Sequence, residues 1–327
     1  MKRREFIAGL AGAAAWPMTA RAQQRTMPVI GLLSWGDESF LRIGPSIRAL
    51  NAFWQGVAEA GYFEGVNVAV LYRWAGFREN ILPEMAAELV ARKVAVIVTI
   101  TGAPPALAAK AATTVIPIVF ELGGNPVRLG LVDSLNRPGG NVTGATFLTQ
   151  ELVAKRLAVL HETVPAGASI GYLVNPGSSL TAVLLTEARN AARVLGVDLV
   201  IINASTPDEL QAALTGLPAR RIAAISVDTD SLFTNHGEEI AAAAIHHGLP
   251  AIFGFRSIVE AGGLMSYGSD VVDAYRIAGT YTGRILRGEK PADLPVQQTT
   301  KVELVINNKT ARAPSRCQPG FWCAPTR

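Results

Sequence analysis

The sequence predicts an α/β fold built from two lobes, each containing a doubly wound parallel sheet. Short apolar runs alternate with helical patterns up to residue 122, and the same alternation starts again after residue 150. With 327 residues, of which 49% are hydrophobic and 17% are charged, the chain is long enough for two buried cores. The stretch 116–149 holds two apolar runs separated by glycine-rich and proline-rich turns, which indicates a crossover between the lobes.

In the first lobe, apolar runs predict strands, and apolar residues at helical spacing predict helices. The expected strands cover residues 28–34, 65–74, 94–99 and 116–122, and the expected helices cover 47–60, 81–92 and an alanine-rich segment that ends near 113. Asn125-Pro126, a good cap followed by proline at the first helical position, predicts another helix that ends near Asn136. Residues 142–148 predict one more strand.

The second lobe repeats the pattern. Its expected strands cover residues 170–175, 199–203, 222–228, 250–253 and 265–267, and its expected helices cover 151–163, 178–195, a segment from 206, 238–247 and 271–287. A final edge strand is expected at 301–306, beyond this lobe. The resulting division assigns 23–122 and 288–311 to the N-terminal lobe, 123–149 to the crossover and hinge region, and 150–287 to the C-terminal lobe.

The N-terminus predicts an export signal in residues 1–22. Charged residues from Lys2 to Arg4 precede an apolar run, and Ala20 and Ala22 supply the small residues required for cleavage before Gln23. Arg3-Arg4 followed by Phe-Ile is typical of a twin-arginine signal, while an ordinary secretory signal is the alternative. We therefore expect a mature protein in the periplasm, cleaved after Ala22.

Charge and cysteine usage exclude further classes. The net charge of +4 arises from 30 basic and 26 acidic residues, and removing 1–22 leaves 26 and 25. The remaining sequence contains no cluster of basic residues that would indicate nucleic-acid binding.

Both cysteines, Cys317 and Cys323, lie in the last eleven residues. That tail, 312–327, lacks apolar periodicity, and shifting its frame with GC-rich codons produces an apolar ending, so we interpret it as a frameshift product.

Enzymatic motifs are missing from the sequence. No glycine fingerprint for a dinucleotide follows the first strand, and the chain contains neither a P-loop nor a Gly-x-Ser-x-Gly elbow. Its four histidines include the adjacent pair His246-His247, whose side chains would point to different faces of a helix. We therefore predict no catalytic residues, no metal site and no cofactor.

Small and polar residues instead follow the predicted strands, at the sheet edge where open α/β proteins bind ligands. We expect these residues to contact a ligand: Ser34, Trp35, Thr101, Gly102, Ala103, Pro104, Asn125, Asn175, Asp228, Phe253 and Tyr267. The Thr101 hydroxyl and the helix after Pro104 would bind a carboxylate. Asp228 would bind an amine with Asn175 beside it, and Trp35 or Phe253 would cover an apolar side chain.

The chain up to about residue 311 resembles the tryptophan/tyrosine-type family of ABC-transporter substrate-binding proteins. The matching segments include PVIGLLS, EGVNVAVLYRWA, NPVRLGLVDSLNRPGGNVTG, AKRLAVLHE and AGTYTGRILRGEKPADLPVQQTTKVELVIN. The sequence departs from the family at two places. It has Gly-Gly-Asn125-Pro where many relatives have Gly-Gly-Asp-Pro, and Phe253-Gly-Phe-Arg where they often have an aromatic–Glu–Trp–Arg segment. Both departures remove an acidic group near the expected cleft.

The resemblance implies a type I periplasmic-binding fold, with two Rossmann-like lobes that close on a small organic solute. It also implies an inner-membrane ABC permease with its ATPase as partner, and we expect a monomer. Two alternatives stay open. One is a ligand-sensing protein of the same fold, and the other is an exported α/β enzyme.

Overall fold

A computed structural model describes residues 27–38, 47–147, 150–178 and 180–312 of the chain. The predicted signal segment and the tail beyond Arg312 lie outside these residues. Twelve strands within the described ranges form two sheets of six. Their bounds in chain order are β1 Val29–Ser34, β2 Ala69–Trp74, β3 Val96–Ile100, β4 Ile118–Gly123, β5 Val142–Phe147, β6 Ser169–Val174, β7 Asp198–Asn203, β8 Ala224–Val227, β9 Ala251–Phe253, β10 Met265–Ser269, β11 Gln297–Thr299 and β12 Val302–Ile306.

The sheets have closely related topologies, as the repeated sequence pattern predicts. The first lobe has the strand order β11-β5-β4-β3-β1-β2, and every neighbouring pair is parallel. The second lobe has the order β12-β10-β9-β8-β6-β7, parallel except for the antiparallel pair of β10 with β12. Central strands such as β3 are buried along their whole length, since helices cover both faces.

Helices connect these strands within the described ranges. Their bounds are α1 Ile47–Glu59, α2 Leu82–Ala91, α3 Ala103–Ala112, α4 Val153–His161, α5 Thr181–Leu195, α6 Pro207–Thr215, α7 Ser231–Asn235, α8 Gly237–His246, α9 Arg256–Glu260, α10 Val271–Leu286 and α11 Asn308–Ala311. Short 3₁₀ turns cover Glu79–Ile81, Gln150–Leu152, Leu217–Arg220 and Pro291–Asp293. No helix of the described part combines the length and apolar character needed to cross a bilayer.

The position of α10 differs from the expected division of the chain. We assigned residues 150–287 to the second lobe, but α10 packs along α1 in the first lobe. Tyr275, Ala278 and Tyr281 of α10 share a buried cluster with Phe53 and other residues of α1 and its sheet. Helical periodicity identifies the buried face of a helix but does not determine which sheet that face will cover.

The end of the chain is also divided differently. We expected residues 288–311 to return as one piece to the first lobe. In the structure β11 pairs with β5 of the first lobe, whereas β12 pairs with β10 of the second. The chain therefore passes between the lobes after β5, after β10 and between β11 and β12.

The helix expected after Asn125 is not formed. Asn125 Oδ1 does accept hydrogen bonds from the amides of Val127 and Arg128, at 3.0 and 3.1 Å. Only a turn follows it, and Gly130 adopts a φ of 68° in that turn. A residue with positive φ interrupts the helical hydrogen-bond ladder, so the capping signal starts a turn instead of a helix.

Candidate functional site

A cleft lies between the lobes, where the carboxyl ends of both parallel sheets face each other. First-lobe residues that line it include Trp35, Arg48, Thr101, Gly102, Glu121, Phe147 and Tyr275, and second-lobe residues include Ser178, Asp228, Asp230, Ser231, Phe255, Arg256, Ser269 and Glu303. Its cavity volume is about 170 Å³. Since a cavity of about 150 Å³ can hold benzene, the cleft has the size for one small molecule.

The two walls touch each other directly. The Ser231 hydroxyl donates to the carbonyl oxygen of Thr101 across the cleft, with a separation of 3.4 Å. On another side Phe147 and Phe255 meet edge to face, with ring centroids 6.0 Å apart. These contacts join the two lobes on either side of the cavity.

Asp228 is the carboxylate at the end of β8. It is 4% exposed, and its Oδ1 accepts from the Thr229 amide at 2.6 Å. Burial raises the pKa of Asp228 to about 6, although the hydrogen bonds of Thr229 and the charge of Arg156 favour the ionised form. Asp228 is therefore mostly ionised at pH 7 and presents a negative charge to the cleft.

Arg156 of α4 lies behind Asp228 and was not expected from the sequence. Its side chain is 1% exposed, and its Nη1 donates to the Tyr267 carbonyl oxygen at 3.5 Å. Burial lowers the pKa of Arg156, while the charge of Asp228 acts in the opposite direction. Gly254 makes room for this arrangement, because a Cβ there would lie 2.1 Å from Thr229 Cγ2 and 3.6 Å from Arg156 Nη1.

A second carboxylate, Asp230, stands beside Asp228 on the cleft wall. Asp230 caps α7 by accepting from the Leu232 amide at 2.9 Å, and it also accepts from Asn175 Nδ2 at 3.1 Å. Burial raises the pKa of Asp230. Asn175 is itself buried and does not line the cleft. The structure therefore gives Asn175 a role in orienting Asp230, whereas we expected it to touch the ligand.

In the first lobe, the side chain of Thr101 holds the β1 turn in place. Its Oγ1 accepts from the amides of Trp35 and Gly36 at 2.9 and 3.1 Å, and it donates to the Ile100 carbonyl. The buried Ser34 hydroxyl lies 3.0 Å from the same oxygen. These contacts occupy the hydroxyl, so our expectation that it binds a ligand carboxylate is wrong.

The start of α3 faces the cleft as the sequence suggested. Gly102 is the N-cap with a φ of 108°, and no side chain caps the helix. Because Pro104 and Pro105 have no N–H, the free amides at this end are those of Gly102 and Ala103. Glycine suits this position because residues with a side chain rarely adopt such a positive φ.

Glu121 in β4 is a buried acid that we did not identify from the sequence. It is 2% exposed, its Oε2 accepts from the Thr101 amide at 3.4 Å, and it hydrogen-bonds to the side chain of Tyr275. Burial raises the pKa of Glu121 to about 8, so the side chain is mostly protonated at pH 7. The available signal was an acid inside an otherwise apolar strand, Ile-Val-Phe-Glu-Leu.

Aromatic side chains cover part of the remaining surface. Trp35 lines the cleft and packs edge to face on Phe77, with ring centroids 6.0 Å apart. Its buried indole N–H has no hydrogen-bond partner among the described residues. Phe147 and Phe255 form the other aromatic wall.

Besides Asn175 and the fully buried Ser34, which we also wrongly expected to contact a ligand, three further expected contact residues lie outside the cleft. Phe253 is fully buried in the core of the second lobe, whereas Phe255, the N-cap of α9 beyond the end of β9, lines the cleft. Tyr267 packs against the core on the other face of that sheet, and Asn125 is exposed beside its turn. We were therefore wrong to assign Phe253, Tyr267 and Asn125 to the cleft lining.

The arginines at the mouth of the cleft are paired with acids. Arg48 lies 2.9 Å from Glu260, which also pairs with Arg256 at 2.9 Å. Arg256 reaches Glu303 at 3.1 Å as well. Among the described residues no group of histidine, cysteine, aspartate and glutamate side chains is arranged to hold a metal ion.

Comparison with known proteins agrees with the geometry of the cleft. The profile of a family described as ABC transporter substrate binding protein matches residues 44–314, which is most of the chain. A "Tyrosine-binding protein" of Clostridioides difficile is 28% identical over 273 residues, covering 82% of this chain and 77% of the relative.

Solved structures share the fold. A conserved domain protein of Vibrio cholerae has a TM-score of 0.77 at 28% identity, covering 87% of this chain and 93% of that one. An ABC domain of Streptococcus pneumonia, solved in complex with L-Trp, has a TM-score of 0.74 at 24% identity, with coverage of 86% and 93%. These similarities show two lobes of the type I periplasmic-binding fold.

Proposed function

The chain belongs to the family of ABC transporter substrate-binding proteins, and we propose that it captures an amino-acid-like solute and delivers it to an ABC importer. The family consists of solute-binding proteins and not of enzymes. The observation that carries the proposal is the buried, mostly ionised carboxylate of Asp228 on the wall of a closed cavity between two lobes.

Asp228 and Asp230 provide the binding site for the ligand's ammonium group. Both are buried on one wall, and Thr229, Leu232 and Asn175 hold them in place through hydrogen bonds. A desolvated carboxylate needs a partner of opposite charge, and an ammonium group supplies that charge together with three N–H donors. This pairing favours a ligand with a primary amine.

The carboxylate of the ligand would lie opposite the ammonium, at the start of α3. There the amides of Gly102 and Ala103 are free, and the Ser231 hydroxyl lies 3.4 Å from the Thr101 carbonyl oxygen. Helix N-terminal amides stabilise anions by about 0.3–1 kcal/mol, and more when water is excluded. The neighbouring rings of Trp35, Phe147 and Phe255 provide an apolar surface for an aromatic side chain.

The relatives support this ligand class. The name of the C. difficile relative states that it binds tyrosine, and the S. pneumonia protein was solved with L-Trp. We therefore propose an aromatic amino acid as the ligand. The family and the export signal predicted in residues 1–22 support its delivery, from the periplasm, to a permease and ATPase in the inner membrane. We expect the protein to act as a monomer. A sensor of the same fold would bind its ligand in the same way.

Mass spectrometry of the small molecule released from the purified protein tests the ligand class. Titration calorimetry with L-tyrosine should show binding to the parent protein and a loss of about 2–5 kcal/mol in Asp228→Asn, because a buried ammonium would lose its charged partner. Asp198→Asn is the matched control, since Asp198 is exposed and accepts only from Ser169 at the start of a strand. Unchanged affinity in Asp228→Asn would contradict the proposal.

Deletion of a candidate partner permease separates delivery from sensing. Deleting the permease genes should stop uptake of the radiolabelled ligand while the purified protein still binds it. Uptake that continues at the parent rate in this deletion, but is lost when the binding protein is deleted, would contradict delivery to that permease.

A further inference from the structure

The proposed function gives no role to Glu121 and Tyr275, although both line the cavity from the first lobe. Asp228 and Asp230 bind the amine from the second lobe, and the free amides of α3 are available for the carboxylate. Glu121 lies on β4 and Tyr275 lies on the second turn of α10, so the contact between these two side chains joins the sheet of the first lobe to α10. Both side chains line the cavity on the wall that the first lobe contributes, and Glu121 accepts from the Thr101 amide at the end of β3.

The pair is polar within an apolar setting. Glu121 is 2% exposed and Tyr275 is 5% exposed, while the apolar residues Phe147, Val271 and Val272 line the same cavity. The Glu121 carboxyl hydrogen-bonds to the Thr101 amide and to the Tyr275 side chain, and the Tyr275 side chain also hydrogen-bonds to the Thr101 backbone. A carboxyl group offers about four acceptor positions when ionised, and a neutral one both donates and accepts, so these contacts leave capacity for a ligand.

We propose that Glu121 and Tyr275 form a second polar subsite, which binds a hydroxyl or N–H group at the far end of the ligand's side chain. The proposal rests on the proposed function, because it assumes that Asp228 fixes the amine. It makes the first lobe selective for a ring that carries a hydrogen-bonding group, such as a phenol, over an unsubstituted ring. The second lobe then recognises what all amino acids share, and the first lobe recognises the side chain.

The protonation state of Glu121 determines which ligand groups the subsite can hydrogen-bond. Burial raises the pKa of Glu121 to about 8, so at pH 7 the group is mostly neutral. A neutral carboxyl has an O–H to donate and a carbonyl oxygen to accept, which matches a phenol that does both. A bare ring would displace water and leave these buried polar atoms without a new partner, and such a mismatch is a strong source of discrimination.

A purely structural role for the pair predicts something different. In that case the hydrogen bond between Glu121 and Tyr275 would only attach α10 to β4, and its loss would destabilise the fold without regard to the ligand. The ratio of affinities for two ligands that differ by one hydroxyl separates these roles, since a change in folding stability leaves the ratio unaltered.

The experiment is calorimetry at pH 7 with L-tyrosine and L-phenylalanine, which differ only in the phenol. We expect the parent to prefer L-tyrosine by about 10–100-fold, in the range expected for a buried hydrogen bond to a polar ligand group. Glu121→Gln keeps a neutral donor and acceptor of similar size and should retain most of this preference. Glu121→Leu should bring the ratio close to one by weakening L-tyrosine alone.

Tyr275→Phe should reduce the preference as well, because its hydroxyl contacts the same carboxyl. Tyr281→Phe is its matched control, since Tyr281 lies on the same helix, is nearly buried and donates to the Pro295 carbonyl oxygen at 2.6 Å, outside the cleft. This control should lose stability but keep the ratio of the parent.

Three outcomes contradict the proposal, and they differ from one another. Equal affinity of the parent for both amino acids, unchanged in Glu121→Leu, contradicts the subsite while the proposed function stands. Failure of the parent to bind either amino acid contradicts the ligand class itself, and the subsite proposal is then overturned with it. Loss of preference in Glu121→Gln to the same extent as in Glu121→Leu would contradict the neutral hydrogen-bonding role.

Discussion

Arg48 on α1 and Glu260 on α9 form an ion pair of 2.9 Å that joins the two lobes at the mouth of the cleft. Glu260 also holds Arg256, which in turn reaches Glu303 of β12. The pair therefore links the first lobe to a charged network of the second. Since the side chains of Arg48 and Glu260 are 54% and 34% exposed, the pair can stabilise the closed form only modestly.

Replacing Arg48 should speed up ligand release. An exposed ion pair contributes about 0.2–1 kcal/mol, so we expect Arg48→Gln to raise the dissociation rate up to about fivefold at low salt. At 1 M salt the variant and the parent should converge, because screening removes most of the interaction. Stopped-flow fluorescence measures both rates. Arg92→Gln is the control, because Arg92 is an exposed arginine at the C-terminal end of α2. A fivefold effect that persists at 1 M salt would contradict the ion-pair explanation.

The affinity for an amine ligand should fall as the pH drops below about 6. Burial raises the pKa of Asp228 to about 6 in the protein without ligand, so protonation there removes the charge that binds the ammonium. Well below this pKa, the affinity should decrease about tenfold per pH unit. Calorimetry with L-tyrosine between pH 4.5 and 7 tests this. Asp228→Asn should weaken this dependence and leave the part that comes from Asp230, whose pKa burial also raises, while a flat profile in the parent would rule out Asp228 as the titrating partner.

The folded protein should become less stable between about pH 4.5 and 8 because of Glu121. In the unfolded chain Glu121 ionises near 4.5, whereas the folded protein keeps its proton up to about 8. The unfolded state therefore binds fewer protons across this window, and the free energy of unfolding decreases as pH rises. The whole effect is at most about 5 kcal/mol, at 1.36 kcal/mol per unit.

Urea unfolding at pH 5, 6.5 and 8 measures this dependence. Glu121→Gln has no proton to lose, so its stability should decrease less than that of the parent over the same range. The exposed substitution Glu162→Gln is the control and should follow the parent. Parallel curves for the parent and Glu121→Gln would show that Glu121 ionises normally in the folded protein.

Gly279 allows α10 to pack closely on α1. A Cβ at Gly279 would lie 1.9 Å from the Phe53 carbonyl oxygen, and one at Gly56 would lie 2.2 Å from the Arg276 carbonyl oxygen. We expect Gly279→Ala to lower the free energy of unfolding by about 1–3 kcal/mol, although alanine is the better helix former. Urea unfolding tests this against Gly140→Ala, where a Cβ meets no atom within 4 Å. A stabilised Gly279→Ala would show that the two helices can separate at little cost.

Local patterns in the sequence predict most elements of this fold. Apolar runs identify strands such as β3, and Thr206 caps α6 by accepting from the Glu209 amide, as its sequence suggests. Alternating strands and helices then indicate parallel sheets, whose carboxyl ends locate the cleft. Trp35 and Asp228 follow their strands directly and both line that cleft.

The remaining features depend on contacts between distant segments, which no local pattern contains. The apolar stripe of α10 would suit either lobe. Its glycines, such as Gly279, permit close packing against α1, and this fit places the helix on the first lobe. Glu121 lies within β4 and not after it, so a search restricted to loops passes over it. The Thr101 hydroxyl seemed available until the structure showed two amides donating to it.

The placement of α10 also bears on the order in which the lobes can assemble on the ribosome. The apolar face of α1, with Phe53 and Val57, is covered by a helix that ends at residue 286, so the first lobe stays incomplete until most of the chain has emerged. By contrast, β6 to β10 of the second lobe are contiguous and need no earlier segment as a strand partner. Domains usually fold from the N-terminus during synthesis. In this protein the lobe that begins first is completed only after the core strands of the other have been made.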